Sequence, residues 1–299
     1  MMLRTLCCAG ALAICHGQSV DARSAIYGGG PFYSGGTAVI DDLRASGFST
    51  VMLWSIHVTP NGDLYMNDKK IVANGRYVGI SEWQGNLRRL RTAPTSVNRI
   101  EVSVGSAGTT DFDSIKALVN GTASGCGSTI ACGTGTTSIL YRNFQTLKTI
   151  TGADAANFDD ESTYDVASAS KFGTMLSGQG YRITFAPYTQ MNYWMQLKNN
   201  LGNKVDAVYL QAYDGGAYNV PANWSAALGL TVDPGLWSYH GTNCNQGDSP
   251  TSVQTKMAAW KRTSPAMSGG FIWLYDDIQK CAYRGNAAAY ASAVNNAVR

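Results

Sequence analysis

The sequence predicts an α/β fold in the form of one closed (β/α)8 barrel, and three observations carry that prediction. A short apolar or β-branched run, a loop rich in Gly, Asn, Asp and Ser, and an amphipathic helical stretch recur eight times between Ser24 and Arg299. The 299 residues suit one large barrel, and no interdomain linker interrupts the pattern. An open doubly wound sheet alternates in the same way, but no G-x-G-x-x-G opens a helix after the first strand, so nothing marks a dinucleotide site.

The strands read in order as SAIYGGG (24–30), STVMLWSIHV (49–58), RIEVSVG (99–105), ADAANFDDE (153–161), YRITFAPYT (181–189), VDAVYLQAYD (205–214), DPGLWSYH (233–240) and GGFIWLYDD (269–277). Between them TAVIDDLRASG, SILYRNFQTLKTI, VASASKFGTMLSG, SVQTKMAAWKR and NAAAYASAVNNAV place apolar residues at helical spacing. Two stretches exceed what a barrel loop needs. Residues 59–82 alternate enough for a hairpin excursion after the second strand. Residues 121–137, GTASGCGSTIACGTGTT, form a Gly/Ser/Thr-rich insertion, and no Lys follows its glycines at phosphate-loop spacing.

With 44% hydrophobic and 14% charged residues, 33 glycines and 16 tyrosines, the chain is folded, loop-rich and aromatic, which suits sugar binding. The net charge of +3 is small and scattered, and LRRLR at 88–92 reads as a solvated helix face, so no nucleic-acid or membrane footprint is present. Residues 1–23 have the layout of a secretory signal, Arg4 followed by an apolar run from Thr5 to Cys15. That run is shorter than the roughly 20 residues that span a bilayer. A secreted protein is therefore expected, with the barrel filling residues 24–299. Outside the leader remain Cys126, Cys132, Cys244 and Cys281, an even number that predicts two disulfides, Cys126 to Cys132 and Cys244 to Cys281. The rival zinc reading lacks paired C-x-x-C spacing.

GADAANFDDES (152–162) gathers four acidic residues into eleven positions. On a strand Asn157, Asp159 and Glu161 share one face while Phe158 and Asp160 share the other. Asp159 and Glu161 then fall at the C-terminal end of the fourth strand, where barrel active sites are built. Two inward carboxylates one strand repeat apart, roughly 6 to 7 Å between Cα atoms, cannot both ionise cheaply in a partly desolvated site, so one holds a proton near neutral pH, as a general acid must. Asp160 supports the loop, and Ser162 with Asp165 offers a capping-box start to the next helix. A hydrated acidic loop or a calcium loop is the plainer reading of the same cluster, although EF-hand spacing is absent.

DAANFDDE (154–161) resembles the D-x-x-D-x-D-x-E signature of family 18 glycoside hydrolases, with Asn157 in place of the second aspartate, and FDDE is most similar to endo-β-N-acetylglucosaminidases of the H type. SVGSAG (103–108), QAYD (211–214) and GGFIWLYDD (269–277) resemble the family's third-, sixth- and eighth-strand motifs, in order. The resemblance runs from about Ile26 to the C-terminus and implies a TIM barrel without the insertion domain of many chitinases.

The chemistry that the resemblance implies is substrate-assisted and retaining. Glu161 protonates the glycosidic oxygen, the substrate's acetamido carbonyl attacks the anomeric carbon, Asp159 stabilises the oxazolinium, and Tyr213 holds the acetamido group. Gln211, Asp214, Asn157 and Tyr188 are expected to touch the sugar, and Trp273 to floor it. Further sugar contacts are sought at Tyr193 and Trp194. Trp54 is assigned to core packing, while His57 and His240 end strands where a site residue fits. No cofactor is required. A monomer acting on a glycan that contains N-acetylglucosamine is expected, releasing N-glycans at the chitobiose core. Chitin hydrolysis and a non-catalytic chitinase-like lectin are the alternatives.

Overall fold

A computed structural model describes residues 23–299, so the expected leader, apart from its last residue, lies outside the described residues. Strands β1 (Arg23–Gly28) and β2 (Thr50–Val58) are followed by an antiparallel excursion of three short strands, β3 (Leu64–Met66), β4 (Lys69–Ala73) and β5 (Arg76–Tyr77). Then come β6 (Arg99–Val104), β7 (Ala155–Phe158), β8 (Arg182–Phe185), β9 (Val205–Gln211), β10 (Val232–Trp237) and β11 (Gly269–Trp273). β1, β2 and β6 to β11 pair in parallel, and the β1–β2 pairing closes them into an eight-stranded barrel. All eight predicted strands are present, and the excursion occupies the stretch predicted for it.

Helices α1 (Gly30–Ser34) and α2 (Gly36–Ala45) follow β1, α3 (Trp83–Leu90) follows the excursion, and α4 (Asp111–Asn120) and α5 (Ile139–Thr151) follow β6. After β7 to β10 come α6 (Val166–Gly178), α7 (Met191–Leu201), α8 (Pro221–Leu228) and α9 (Pro250–Thr263), and α10 (Tyr275–Lys280) and α11 (Ala287–Val298) end the chain. Arg88 and Arg89 face solvent on α3 while Leu87 and Leu90 are buried beneath them. Both expected disulfides form, which removes the zinc alternative. Arg23, at the edge of the expected leader, is the first residue of β1, pairs with Gly269, and reaches Asp233 at 3.6 Å.

Strand alternation divides the core in two. Ile26, Val51, Ile100, Ala156, Phe158, Phe185 and Ile272 face the helices in one continuous buried layer. Each large side chain there contributes about 1.5–3 kcal/mol by leaving water. Ala25, Tyr27, Met52, Ala207, Tyr209 and Phe271 fill the barrel itself. Phe271 needs Gly235 opposite, since a Cβ there would sit 2.1 Å from the ring.

The remaining interior positions are polar and form a ladder. Arg99 Nε donates to Glu101 at 2.6 Å, Tyr209 donates to the same carboxylate at 2.8 Å, and the Thr184 hydroxyl donates to its other oxygen. Asn157 Nδ2 in turn donates to Thr184 at 3.0 Å. Glu101, Thr184, Tyr209 and Asn157 thus all have partners, which offsets the cost of withdrawing them from water, while Nη2 of Arg99 is left buried without one.

Candidate active site

Above the ladder lies a concavity of about 310 Å3 at the C-terminal end of the barrel. β7 ends at Phe158, and the chain continues in strand parity so that Asp159 and Glu161 both line the concavity while Asp160 turns outward. Asp160 accepts hydrogen bonds from the backbone N–H groups of Ser162, Thr163 and Tyr164 and from the Tyr193 hydroxyl. That bonding overrides the capping box expected at Ser162. Tyr164 takes a left-handed φ of 47°, and the helix starts only at Val166 with Asp165 as its cap, accepting from Ser168 N–H at 2.8 Å.

Asp159 is buried and Glu161 half-buried, and one amide nitrogen, Gln211 Nε2, contacts a carboxyl oxygen of each. Burial pushes the Asp159 carboxyl well above the usual carboxylate range, and Glu161, Asp160 and Asp111 add repulsion. Burial also raises Glu161, against the hydrogen bond that it accepts from Gln211. Neighbouring carboxyls that are both raised by burial resist ionising together, so the pair favours keeping one proton. Gln211 Nε2 clamps it from the side, 3.1 Å from Asp159 Oδ1 and 3.2 Å from Glu161 Oε1, and also reaches the Ala186 carbonyl at 3.0 Å.

Aromatic residues build the rest. The Trp273 ring lies parallel to that of Tyr213 at 6.2 Å and tilted to Tyr27 at 5.5 Å. Tyr213 meets Trp237 edge-on at 5.9 Å. Burial, with the charges of Asp159 and Glu161, pushes the Tyr213 phenol well above its usual range, so it stays a neutral donor. Asp214, Gly215 and Tyr188 line the mouth. The ends of β6 and β7 approach so closely that Gly105, at φ 93°, leaves only 2.4 Å between a would-be Cβ and the Asp159 carbonyl.

The structure thus gathers Glu161, Asp159, Tyr213, Gln211, Asp214, Trp273 and Tyr188 around one concavity. Asn157, expected to touch the sugar, does not line it. It is fully buried below, where its Oδ1 accepts from Tyr27 and Ser103 at 3.0 Å each. Tyr193 and Trp194 are also corrected: both are buried on α7 against the outside of the barrel, and Trp194 packs on Phe185 at 5.0 Å. Trp54 packs inside the barrel, edge-on to Trp273 at 4.5 Å. His57 bonds Asp111 at 2.9 Å, and His240 stacks on Trp237 at 3.8 Å; neither lines the concavity. Tyr27 and Trp237 are lining residues that sequence reasoning missed, although both share the inward parity of their strands and sit at or near the C-terminal ends.

No family model matches the sequence, and no curated protein matches it significantly. Solved structures do. A chitinase from Bacteroides thetaiotaomicron superposes with a TM-score of 0.59 at 11% identity, over 92% of this chain and 97% of that one. A family 18 chitinase mutant from Cycas revoluta, in complex with (GlcNAc)4, gives 0.59 at 10% identity over 91% and 99%. The spore cortex-lytic enzyme SleL of Bacillus cereus gives 0.57 at 10% identity over 92% and 74%. At such identities the likeness is one of fold: this chain is a single (β/α)8 barrel built like those of the chitinases.

Proposed function

We propose that the protein is a secreted, monomeric, retaining glycoside hydrolase that cleaves β-1,4 bonds at N-acetylglucosamine, acting on the chitobiose core of N-glycans. The observation that carries this reading is the convergence of Asp159 and Glu161 on one amide nitrogen, Gln211 Nε2, at 3.1 and 3.2 Å. Ordinary retaining and inverting glycosidases hold their carboxyls about 5–5.5 Å and about 6.5–9.5 Å apart, on opposite sides of the sugar. Two carboxyls that contact the same amide nitrogen lie on one side of the site and do not flank a pyranose. The nucleophile must then come from elsewhere, and an acetamido group on the substrate supplies one.

In the proposed step the shared proton passes from Glu161 to the glycosidic oxygen as the bond from that oxygen to the anomeric carbon breaks. The acetamido carbonyl oxygen closes on that carbon, and the resulting oxazolinium N–H is held by ionised Asp159. Tyr213 donates to the acetamido oxygen, and Trp273 floors the ring. Water then attacks the anomeric carbon as the bond from that carbon to the acetamido oxygen breaks, which restores the acetamido group, and the proton that the water loses passes to the Glu161 carboxylate. Chitin hydrolysis is the second reading, favoured by the chitinases among the structural neighbours. The two disulfides suit an exported protein, and no described helix is long and apolar enough to cross a membrane.

The test is to incubate the protein with a high-mannose glycoprotein and, separately, with chitin oligomers, beside Glu161→Gln. Loss of the general acid should lower kcat by about 10²–10⁴-fold on the substrate that is cleaved. Cleavage of neither substrate, or an unimpaired variant, overturns the proposal. Because Glu161 must be protonated, activity should decline as pH rises above neutral.

A further inference from the structure

We propose that Asp277 and His240, neither of which lines the concavity, are positioning residues that fix the Trp237 indole as a rigid wall of the substrate site. The inference rests on the hydrolase reading and deepens it. Trp237 ends β10 beside Trp273, its register partner on β11, so wall and floor stand on neighbouring strands. The indole is half-buried and meets the concavity from a strand end, where rotation about its two side-chain torsions would swing it across the space that the sugar needs. Two contacts remove that freedom. The indole N–H donates to Asp277 Oδ2 at 2.9 Å, which fixes the direction in which the ring points. The His240 imidazole lies on one face at 3.8 Å with 12° between the planes, which fixes the tilt.

Both holders are themselves held. A carbonyl only accepts, so His240 Nδ1 carries the proton in its 3.0 Å bond to the Ser238 carbonyl. The His240 backbone exchanges hydrogen bonds with Gln246 at 3.1 and 3.3 Å, and Gly247 passes so close that a Cβ there would lie 2.7 Å from Nδ1. Asp277 stands in the first turn of α10, and the Cys244–Cys281 disulfide joins the end of that helix to the His240 loop. With its N–H committed to Asp277 and one face to His240, Trp237 offers substrate only its other face and its C–H edge, an apolar surface with no hydrogen bond to give. Such a surface discriminates by shape, and that discrimination fails when the ring is free to turn. The wall therefore depends on two residues outside the concavity.

The experiment measures kcat and KM separately on whichever of the high-mannose glycoprotein and the chitin oligomers the wild type cleaves. It compares Asp277→Leu, which removes the acceptor, with Asp277→Asn, which keeps one, and His240→Ala, which removes the stacked ring, with His240→Phe, which keeps one. Thermal melts check folding, and because each contact is broken by its own variant, one that misfolds leaves the other to decide. KM should rise about five- to tenfold in Asp277→Leu and His240→Ala with kcat within about twofold of wild type, while Asp277→Asn and His240→Phe stay within about twofold in both constants. KM within about twofold of wild type in the folded disruptive variants, or conservative variants as impaired as the disruptive ones, overturns the inference while leaving the hydrolase reading standing. A wild-type protein that cleaves neither substrate removes both.

Discussion

Asn157 sits one rung below two carboxylates, and its neighbours use both ends of its amide. Its Oδ1 takes protons from Tyr27 and Ser103, and its Nδ2 faces the Thr184 oxygen, whose own proton is committed to Glu101. In Asn157→Asp a carboxyl oxygen faces the Thr184 oxygen and bonds it only when protonated. Above its raised pKa the new charge repels Asp159, which then keeps the shared proton to higher pH. The alkaline limb of kcat/KM should therefore move upward, and stability above neutral pH should fall by about 1–3 kcal/mol. Unchanged pH profiles and urea melts would contradict this. Gly105→Ala tests the other side of the same strand end. At φ 93°, with the Asp159 carbonyl 2.4 Å from the added carbon, it should cost about 1–3 kcal/mol in a urea melt and lower kcat by displacing Asp159. Strand parity was enough to set Asp159 and Asp160 on opposite faces. It says nothing of how Asp160 bonds, so the late start of α6 and the burial of Tyr193 were not legible.

Among the elements, the five helices read from apolar spacing lie where the pattern put them, while α3, α4, α7 and α8 are shorter or carry aromatics that read equally as site residues. The α7 sequence MNYWMQLKNNL shows why: its Tyr and Trp follow a strand end, the place for a sugar contact, yet a helix starting at Met191 turns them inward. The disulfides divide by element as well. Cys244–Cys281 closes 37 residues and ties α10 to the loop whose His240 stacks on Trp237, and Asp277 of α10 accepts from the Trp237 indole at 2.9 Å. Cys126–Cys132 closes only 6 residues, none of which lines the concavity. Loop-closure entropy predicts a loss of about 4 kcal/mol for the longer link in Cys244→Ser with Cys281→Ser, and about 2 kcal/mol for the shorter in Cys126→Ser with Cys132→Ser. Only the first pair should also raise KM, because only it loosens a wall of the site. Thermal melts and KM on one cleaved substrate check both statements.

For the whole molecule, the barrel was legible because eight strand-and-helix units leave a repeat that single side chains cannot disguise. The polar ladder inside it was not. Alternation tells which residues share the interior, whereas Glu101, Asn157 and Thr184 meet through the registers of three strands, Glu101 beside Ala155 and Asn157 beside Thr184. A barrel with buried carboxyls has a pH dependence set by them. Burial raises Asp159, Asp160, Glu161 and Asp276, and lifts Asp233 from 3.8 to about 6 although Arg23 stands nearby. A carboxyl that keeps its proton longer when folded binds more protons than the unfolded chain between the two pKa values, so stability falls as pH rises through that window. Exposed Asp68, and half-buried Asp41 and Asp165, are instead lowered by their hydrogen-bonding partners and stabilise only while ionised, a contribution lost as pH falls through the acid range below 3.8. Stability should therefore peak on the acid side of neutrality, between these two windows. For Asp233 the difference between 3.8 and about 6 corresponds to about 3 kcal/mol lost by pH 7. Urea melts at pH 4.5 and 7.5 should show wild type more stable at the lower pH, and Asp233→Asn should shrink that gap by about 2–3 kcal/mol. A wild-type protein more stable at pH 7.5, or a gap that Asp233→Asn leaves intact, would show that these buried carboxyls ionise at little cost in the folded barrel.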